Sequence, residues 1–244
     1  MQLTFPQYIS NPMQDKVMTS SNAQMYKQMY TNKLNALLVR ENNNINFFLF
    51  IDKSKDRYII YLKVPSESVK EFYYDVVIEF HDGPKNKASL DDYNVRFYSN
   101  EPRFCFVFCY SFLQHDLFFE DLKSKMSKMA LEKSASNTNP NNLVGYCKSI
   151  YFAYLIMQNK NLFSKEAWVS AREYNKSTLL DMVEHASVKF TNRQQVERDN
   201  REDKRKYEKL KAANASSTAN NKTIITKSSS RTPTSKQVSR SKKV

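Results

Sequence analysis

The hydrophobic pattern between residues 45 and 110 predicts a β-sheet. Five short runs of β-branched and aromatic residues are separated by polar connections rich in Gly, Pro, Asn, Asp and Ser, which is typical of strands. The runs are residues 45–51, 58–64, 74–80, 93–98 and 104–110. The connections are too short for helical crossovers, except for the link before Tyr74, so an antiparallel meander is expected.

The last of these runs, residues 104–110, is the most apolar in the chain. A strand that is apolar on both faces is usually central and covered on both sides. We therefore expect this run to be the core strand, around which the other elements pack. On this interpretation, replacing Phe106 by Asp buries an unpaired charge and unfolds the domain.

Helical periodicity occurs on both sides of the predicted strands. Before them, Ser21 or Asn22 can cap a helix that runs to about Glu41, with apolar residues three and four apart. After them, a polar Ser- and Asn-rich loop at 134–142 separates further helical patterns. The helices expected there are residues 113–131, 143–158, 164–174 and 177–186.

The chain is expected to contain one α+β domain over residues 21–190, an antiparallel sheet of about five strands flanked by helices. Residues 1–20 have scattered apolar positions and two prolines. They predict an extended N-terminal arm that packs on its own core or docks on a neighbouring subunit. A solvated charged helix is expected over 191–212, because opposite charges lie three and four residues apart. Residues 213–244 offer too little apolar surface to fold and predict a disordered basic tail.

The net charge of +13 is concentrated in this tail, whose charged side chains are all basic. A one-signed flexible segment attracts nucleic acid by counterion release, which is independent of base sequence. The tail lacks aromatic residues, which argues against specific readout of single strands. A solubilising role and binding to an acidic protein surface are the alternatives to contact with duplex DNA. The candidate nucleic-acid-binding residues are Lys222, Lys227, Arg231, Lys236, Arg240, Lys242 and Lys243.

Composition argues against several classes of protein. The chain has only two glycines, so it lacks the glycine-rich loops of the large nucleotide-binding families, and no cofactor is expected. Its three cysteines form an odd count within apolar segments, which predicts buried free thiols in a reducing compartment. No signal-peptide pattern and no apolar run of about 18 residues occurs, so we expect a soluble, unexported protein without a membrane partner.

The residues that could form a metal site show no ligand spacing. The histidines His81, His115 and His185 lie in separate segments, and no paired Cys-x-x-Cys or His-Glu-x-x-His motif occurs. Cys105 and Cys109 are four residues apart within one predicted strand. We expect them to be packing thiols, since free cysteine is among the most buried residue types.

Candidate catalytic carboxylates occur in the middle of the chain, at Asp75, Glu79, Asp82, Asp91 and Asp92. The first two share a face of the predicted strand, but catalytic pairs are usually supplied by different elements. No nucleophile elbow of the Gly-x-Ser-x-Gly type is present. We therefore expect structural or solvated roles for these carboxylates, no catalytic residue and no small-molecule substrate.

Two stretches resemble virion structural proteins of tailed bacteriophages with AT-rich genomes. They are residues 74–80 together with 95–104, and residues 148–155, and the Asn and Lys bias of the chain fits such a genome. The resemblance covers residues 34–163 and includes no catalytic motif. It implies a non-enzymatic assembly component, made in the host cytoplasm and incorporated into the virion beside other virion proteins or copies of itself. A nucleic-acid-binding regulatory or packaging accessory protein is the alternative, and an enzyme with a dispersed site comes third.

Overall fold

A computed structural model describes residues 2–10, 20–40, 44–84, 86–139, 141–145 and 147–228. The α+β class is confirmed, since a five-stranded sheet is flanked by helices. The strands are β1 (Phe47–Asp52), β2 (Arg57–Pro65), β3 (Tyr73–His81), β4 (Asn94–Ser99) and β5 (Arg172–Glu173). The α-helices are α1 (Phe5–Ser10), α2 (Ser20–Arg40), α3 (Cys109–Gln114), α4 (Lys128–Glu132), α5 (Lys148–Asn159), α6 (Lys176–Met182) and α7 (Ala186–Ser228).

The first four strands form the predicted antiparallel meander, and the sheet order is β4-β3-β2-β1-β5. The fifth strand differs from the prediction. It is the two-residue β5, which pairs in parallel with Phe50 and Ile51 of β1. The sheet is therefore mixed and not purely antiparallel.

The prediction that residues 104–110 form the core strand is wrong. The first five residues form a π-helical turn, and α3 follows directly. A short apolar run does not by itself distinguish a buried strand from a buried helix. Burial here follows a helical period, because Phe104 and Phe108 are buried whereas Phe106 is 49% exposed. The interior strand that is buried along almost its whole length is β3, which lies between β4 and β2.

The N-terminal residues are partly helical, where an extended arm was predicted. Residues 5–10 form α1, and Phe5, Tyr8 and Ile9 of this helix are buried in the core. Of the two roles expected for this segment, packing on its own domain therefore applies to residues 2–10. Residues 11–19 lie outside the described part of the chain. The predicted helix from Ser21 or Asn22 to Glu41 corresponds closely to α2.

The single helix predicted over residues 113–131 is broken into shorter elements. Residues 117–119 run along the edge strand β4, where Phe97 N–H donates to Leu117 O at 2.8 Å and Phe119 N–H donates to Phe97 O at 3.0 Å. Pairing of the open backbone groups of β4 therefore replaces a helical turn. A 3₁₀ helix, Glu120–Lys125, and α4 then follow. Residues 164–174 likewise form a 3₁₀ turn, Lys165–Trp168, and β5.

Both faces of the sheet are covered. On one face, Phe5 of α1 packs edge-on against Phe97 of β4 with ring centroids 5.1 Å apart, and α5 packs on β2, β3 and β4. Helix α2 packs on α5. The opposite face carries the charged side chains of β2, β3 and β4, and Tyr174 and the 3₁₀ helix Glu120–Lys125 contact them there. The core therefore lies on both sides of β3.

Helix α7 extends to Ser228, beyond the end predicted at residue 212. Four alanines between residues 212 and 219 have the highest helix propensity of any residue and favour this extension. The backbone of residues 213–228 is thus helical, where disorder was predicted, and residues 229–244 lie outside the described part. By its contacts the chain divides into two compact units, residues 1–194 and 195–244. In the described part, no helix is long and apolar enough to cross a membrane.

The helical assignment of residues 104–110 predicts unequal effects at two neighbouring phenylalanines. Phe104 is fully buried against Phe112, with ring centroids 5.1 Å apart, so Phe104→Ala should lower the free energy of unfolding by about 3–5 kcal/mol. Phe106 is half-exposed and stacks on Phe190, so Phe106→Ala should cost about 1 kcal/mol. Urea denaturation of both variants measures the difference. Equal costs, as expected for residues on one face of a strand, would contradict the helical assignment.

Candidate nucleic-acid interface

Two of the candidate carboxylates, Asp75 and Glu79, lie in the protein interior. Both project from the same face of β3 and are only 1% and 2% exposed. The alternation of side chains along a strand predicts that the two carboxylates share a face. The sequence does not predict that both are buried. Buried charges need paired partners, so the side chains around them determine whether they could act chemically.

Glu79 is held by two guanidinium groups. Nη1 of Arg57 donates to its Oε1 at 2.7 Å, and Nη1 of Arg96 donates to its Oε2 at 3.3 Å. Arg57 also donates from Nε to Asp52 at 2.9 Å and lies 3.3 Å from Asp121. Burial alone lowers the pKa of Arg57, but hydrogen bonds to Glu79 and Asp52 outweigh it and raise that pKa. Glu79 is therefore a charge-paired structural residue and not a free general base.

The outer carboxylates of this network are stabilised in their ionised form. Burial tends to raise the pKa of Asp121, but hydrogen bonds from Lys176 and Tyr174 and the charge of Arg57 lower it. For Asp52, hydrogen bonds from Ser54 and Arg57 likewise overcome burial and lower the pKa. The network thus joins β1, β2 and β3 to the 3₁₀ helix Glu120–Lys125, residue 174 and α6.

Asp75 is satisfied by neutral donors. It accepts hydrogen bonds from the Tyr61 hydroxyl at 2.9 Å, from the Asn100 amide at 2.8 Å and from the backbone N–H of Glu184 at 3.0 Å. Burial and the neighbouring carboxylate raise the pKa of Tyr61, so this phenol stays protonated and donates. These contacts tie β3 to β2, to the residue after β4 and to the segment before α7.

The remaining candidate residues do not converge on a reactive centre. Asp82, Asp91 and Asp92 are exposed, and the ring of His81 contacts Asp82 at 2.7 Å. The three cysteines are free and buried, and burial raises the pKa of Cys109 to about 12. A protonated thiol is a poor nucleophile. Within the described residues, no group of three or more His, Cys, Asp or Glu side chains could hold a metal ion.

The exposed charge of α7 has a different arrangement. Arg198, Arg201, Arg205 and Lys209 are spaced by three, four and four residues, which places them on one side of the helix, and all four are exposed. The aliphatic stems of Arg201, Lys204, Arg205 and Lys209, together with Glu208, line a shallow surface pocket of about 420 Å³. This basic face of α7 was not predicted as a site, because the acids interspersed with the cations, such as Glu202 and Glu208, lower the net charge of the segment.

The acids of α7 are confined to its middle. They lie between Glu197 and Glu208, and Arg201 forms an i,i+4 pair with Glu197 at 3.7 Å. After Glu208 the sequence contains nine basic residues and no acidic residue. Lys222 and Lys227 of the predicted binding set lie within α7. The other five, Arg231, Lys236, Arg240, Lys242 and Lys243, lie outside the described residues.

The chain was also compared with known proteins. No protein-family model, no curated protein and no solved structure matches it. The resemblance to phage virion proteins therefore stays a prediction.

The interior network predicts a pH-dependent effect of removing Arg57. Arg57→Met should lower the free energy of unfolding by about 3 kcal/mol at pH 7, because Glu79 and Asp52 lose a buried cation. Urea titration at pH 7 and at about pH 3 measures this cost. Folding lowers the pKa values of Asp52 and Asp121 below their ordinary value of 3.8. The stability that this provides is fully present above pH 3.8 and is lost as the pH falls through the lowered pKa values. The cost should therefore shrink in acid.

Lys176→Met is the matched control for Arg57→Met. Lys176 is 56% exposed and pairs with Asp121 at the periphery of the same network. Its loss should cost less than about 1 kcal/mol at either pH. An Arg57→Met cost that is equally large in acid would contradict the charge-pairing account.

Proposed function

We propose that this chain is a non-enzymatic virion structural or assembly protein. Its folded unit makes contacts with other virion proteins or copies of itself, and its C-terminal basic region contacts duplex DNA. The observation that carries the proposal is the separation of charge along the chain, with nine basic residues and no acid after Glu208. Such a region gains affinity for any polyanion by releasing condensed counterions.

The helix that leads into this region favours duplex DNA as the polyanion. Helix α7 carries an exposed row of cations from Arg198 to Lys209, and an α-helix fits the width of the major groove. Residues 213–244 contain no aromatic side chain for stacking on unpaired bases. The proposed contact is therefore with the phosphates of a duplex and is independent of base sequence.

The interior of the folded unit supports a scaffold role. Its buried carboxylates are occupied by partners within the fold, as Glu79 is by Arg57 and Arg96. Asp75 is similarly saturated by donors from three segments. Groups used in this way stabilise packing and leave the surface to make contacts.

A nucleic-acid-binding regulatory or packaging accessory protein would use the same basic region. Mass spectrometry of purified particles separates the two functions. The structural role predicts a fixed number of copies in every particle. Absence from particles, despite strong expression of the protein, would contradict the structural role and favour the regulator.

Replacing the seven basic residues between Lys222 and Lys243 by Gln tests the DNA contact. The variant keeps the length of the chain and should keep the fold, but should bind duplex DNA more weakly. If all seven charges meet phosphates, the log–log salt slope should fall in magnitude by about six, or about 0.9 per contact. Titrations against two unrelated duplexes at several salt concentrations measure the slope.

A shuffled version of residues 213–244 is the matched control, because it keeps the composition and changes the order. It should bind both duplexes as the natural sequence does, since counterion release depends on charge. Equal binding by the natural and Gln-substituted chains would contradict the DNA contact. A protein partner or a solubilising role would then account better for the basic region.

A further inference from the structure

A second cluster of cations lies on the folded unit, far in sequence from the C-terminal basic region. Lys33 of α2 and Lys148 of α5 both form ion pairs with Glu67, Lys148 at 2.7 Å. Lys33 also lies over the ring of Tyr30, 5.6 Å from its centroid. Burial raises the pKa of Tyr30, and the charges of Lys148, Arg103 and Lys33 oppose that rise.

Two more guanidinium groups border the same loop. Arg40 donates to the backbone oxygen of Ser66 at 3.2 Å, and Arg193 donates to the Ser68 hydroxyl at 3.3 Å. We call this surface the α2–α5 basic patch. It consists of Lys33, Arg40, Arg103, Lys148 and Arg193, around Tyr30 and the loop 66–68.

Glu67 occupies the position of an anion within the patch. Its two carboxylate oxygens each accept from a different lysine, Oε1 from Lys33 and Oε2 from Lys148. Burial tends to raise its pKa, but these two lysines outweigh burial and lower it, so the carboxylate is ionised. The side chains of Lys33 and Lys148 are 37% and 29% exposed, so an external oxyanion can approach the same ammonium groups.

We propose that the α2–α5 basic patch is a second contact for the DNA backbone, in which a phosphate replaces the Glu67 carboxylate between Lys33 and Lys148. The cations come from α2, the segment before the π-helical turn, α5 and α7, so they form a surface and not a pocket. A surface of this kind suits a chain of phosphates better than a single small anion. The two lysines act as point charges, and the guanidinium groups offer planar pairs of donors to phosphate oxygens.

This inference goes beyond the proposed function, because it places DNA contact within residues 1–194. It also assigns Glu67 a regulatory effect, since the carboxylate competes with the incoming phosphate. Loss of charge from the C-terminal basic region should therefore leave residual, salt-sensitive binding to duplex DNA. The α2–α5 basic patch should account for this residual binding.

Two substitutions with opposite expected effects test the patch in the full chain. Glu67→Gln removes the competing carboxylate and should tighten binding to a 20-base-pair duplex about threefold to tenfold at low salt, the size expected of one added phosphate contact. The double variant Lys33→Gln with Lys148→Gln should weaken binding about tenfold or more and reduce the salt slope by about two. Thermal melts should change little, because partly exposed ion pairs contribute little to stability.

Matched controls change the same charge elsewhere on the folded unit. Glu120→Gln removes an exposed acid that pairs with Lys123 at 3.4 Å, and Lys123→Gln with Lys128→Gln removes two exposed lysines. These controls should shift affinity by less than twofold. Equal effects of the patch and control variants would overturn the inference, because net charge alone would then explain them.

The design separates this inference from the proposed function. The patch substitutions are repeated in the chain whose seven C-terminal cations are replaced by Gln. Residual binding that Lys33→Gln with Lys148→Gln abolishes supports the patch. If the C-terminal substitutions alone abolish binding, the proposed function stands and the patch is overturned. Poly-glutamate is also tested as a competitor at the same total charge as DNA. If it competes as well as DNA does, the DNA-binding patch is overturned in favour of an acidic protein partner.

Discussion

The fold depends on satisfying two carboxylates inside it, Glu79 by two arginines and Asp75 by neutral hydrogen-bond donors. Strand β3 is covered on both faces, yet it carries Asp75 and Glu79 on one of them. An unpaired charge at either position would cost several kcal/mol. The required partners come from separate elements, with Arg57 from β2 and Arg96 from β4 on Glu79, and Asn100 beyond β4 on Asp75. Satisfying these two carboxylates therefore specifies how the strands and the second layer come together.

The same constraint determines which charged side chains are left on the surface to bind partners. The interior acids are matched within the fold, while the chain as a whole carries +13. Nine basic residues follow Glu208 without an acid, and the α2–α5 basic patch gathers five more cations around Glu67. Local accumulation of one sign raises the concentration of polyanions near the surface and speeds their association. Stability and binding thus use different charged residues of the same chain.

The sequence predicted the elements whose pattern has a clear period. Strands β1 to β4 combine β-branched residues with polar turns, and α2 has apolar residues three and four apart. The run 104–110 has no period, so its helical form was not predictable from apolarity alone. The two residues of β5 are too few to give a strand signal. Asp75 and Glu79 were expected in structural or solvated roles, but their burial depends on elements that arrive from distant parts of the sequence.

The two proposed binding surfaces also differ in how far the sequence predicts them. The one-signed segment 213–244 is visible in the sequence because its charges are contiguous. The low complexity of this segment predicts disorder, whereas the propensity of its alanines favours the helix that its first part forms. The α2–α5 basic patch has no sequence signal at all. Lys33, Arg103 and Lys148 are far apart along the chain and meet only when α2, α5 and the segment before the π-helical turn pack together.

Lysine acetylation footprinting, with and without duplex DNA and read residue by residue by mass spectrometry, tests the central claim most directly. The claim is that DNA meets two separate cationic surfaces while the interior charges stay structural. The account predicts lower reactivity in the presence of DNA at Lys33 and Lys148 and along the C-terminal basic region, with Lys123 and Lys128 unchanged. Protected C-terminal positions are Lys222, Lys227, Lys236, Lys242 and Lys243. Equal protection of all lysines, or none at any of them, would contradict the account.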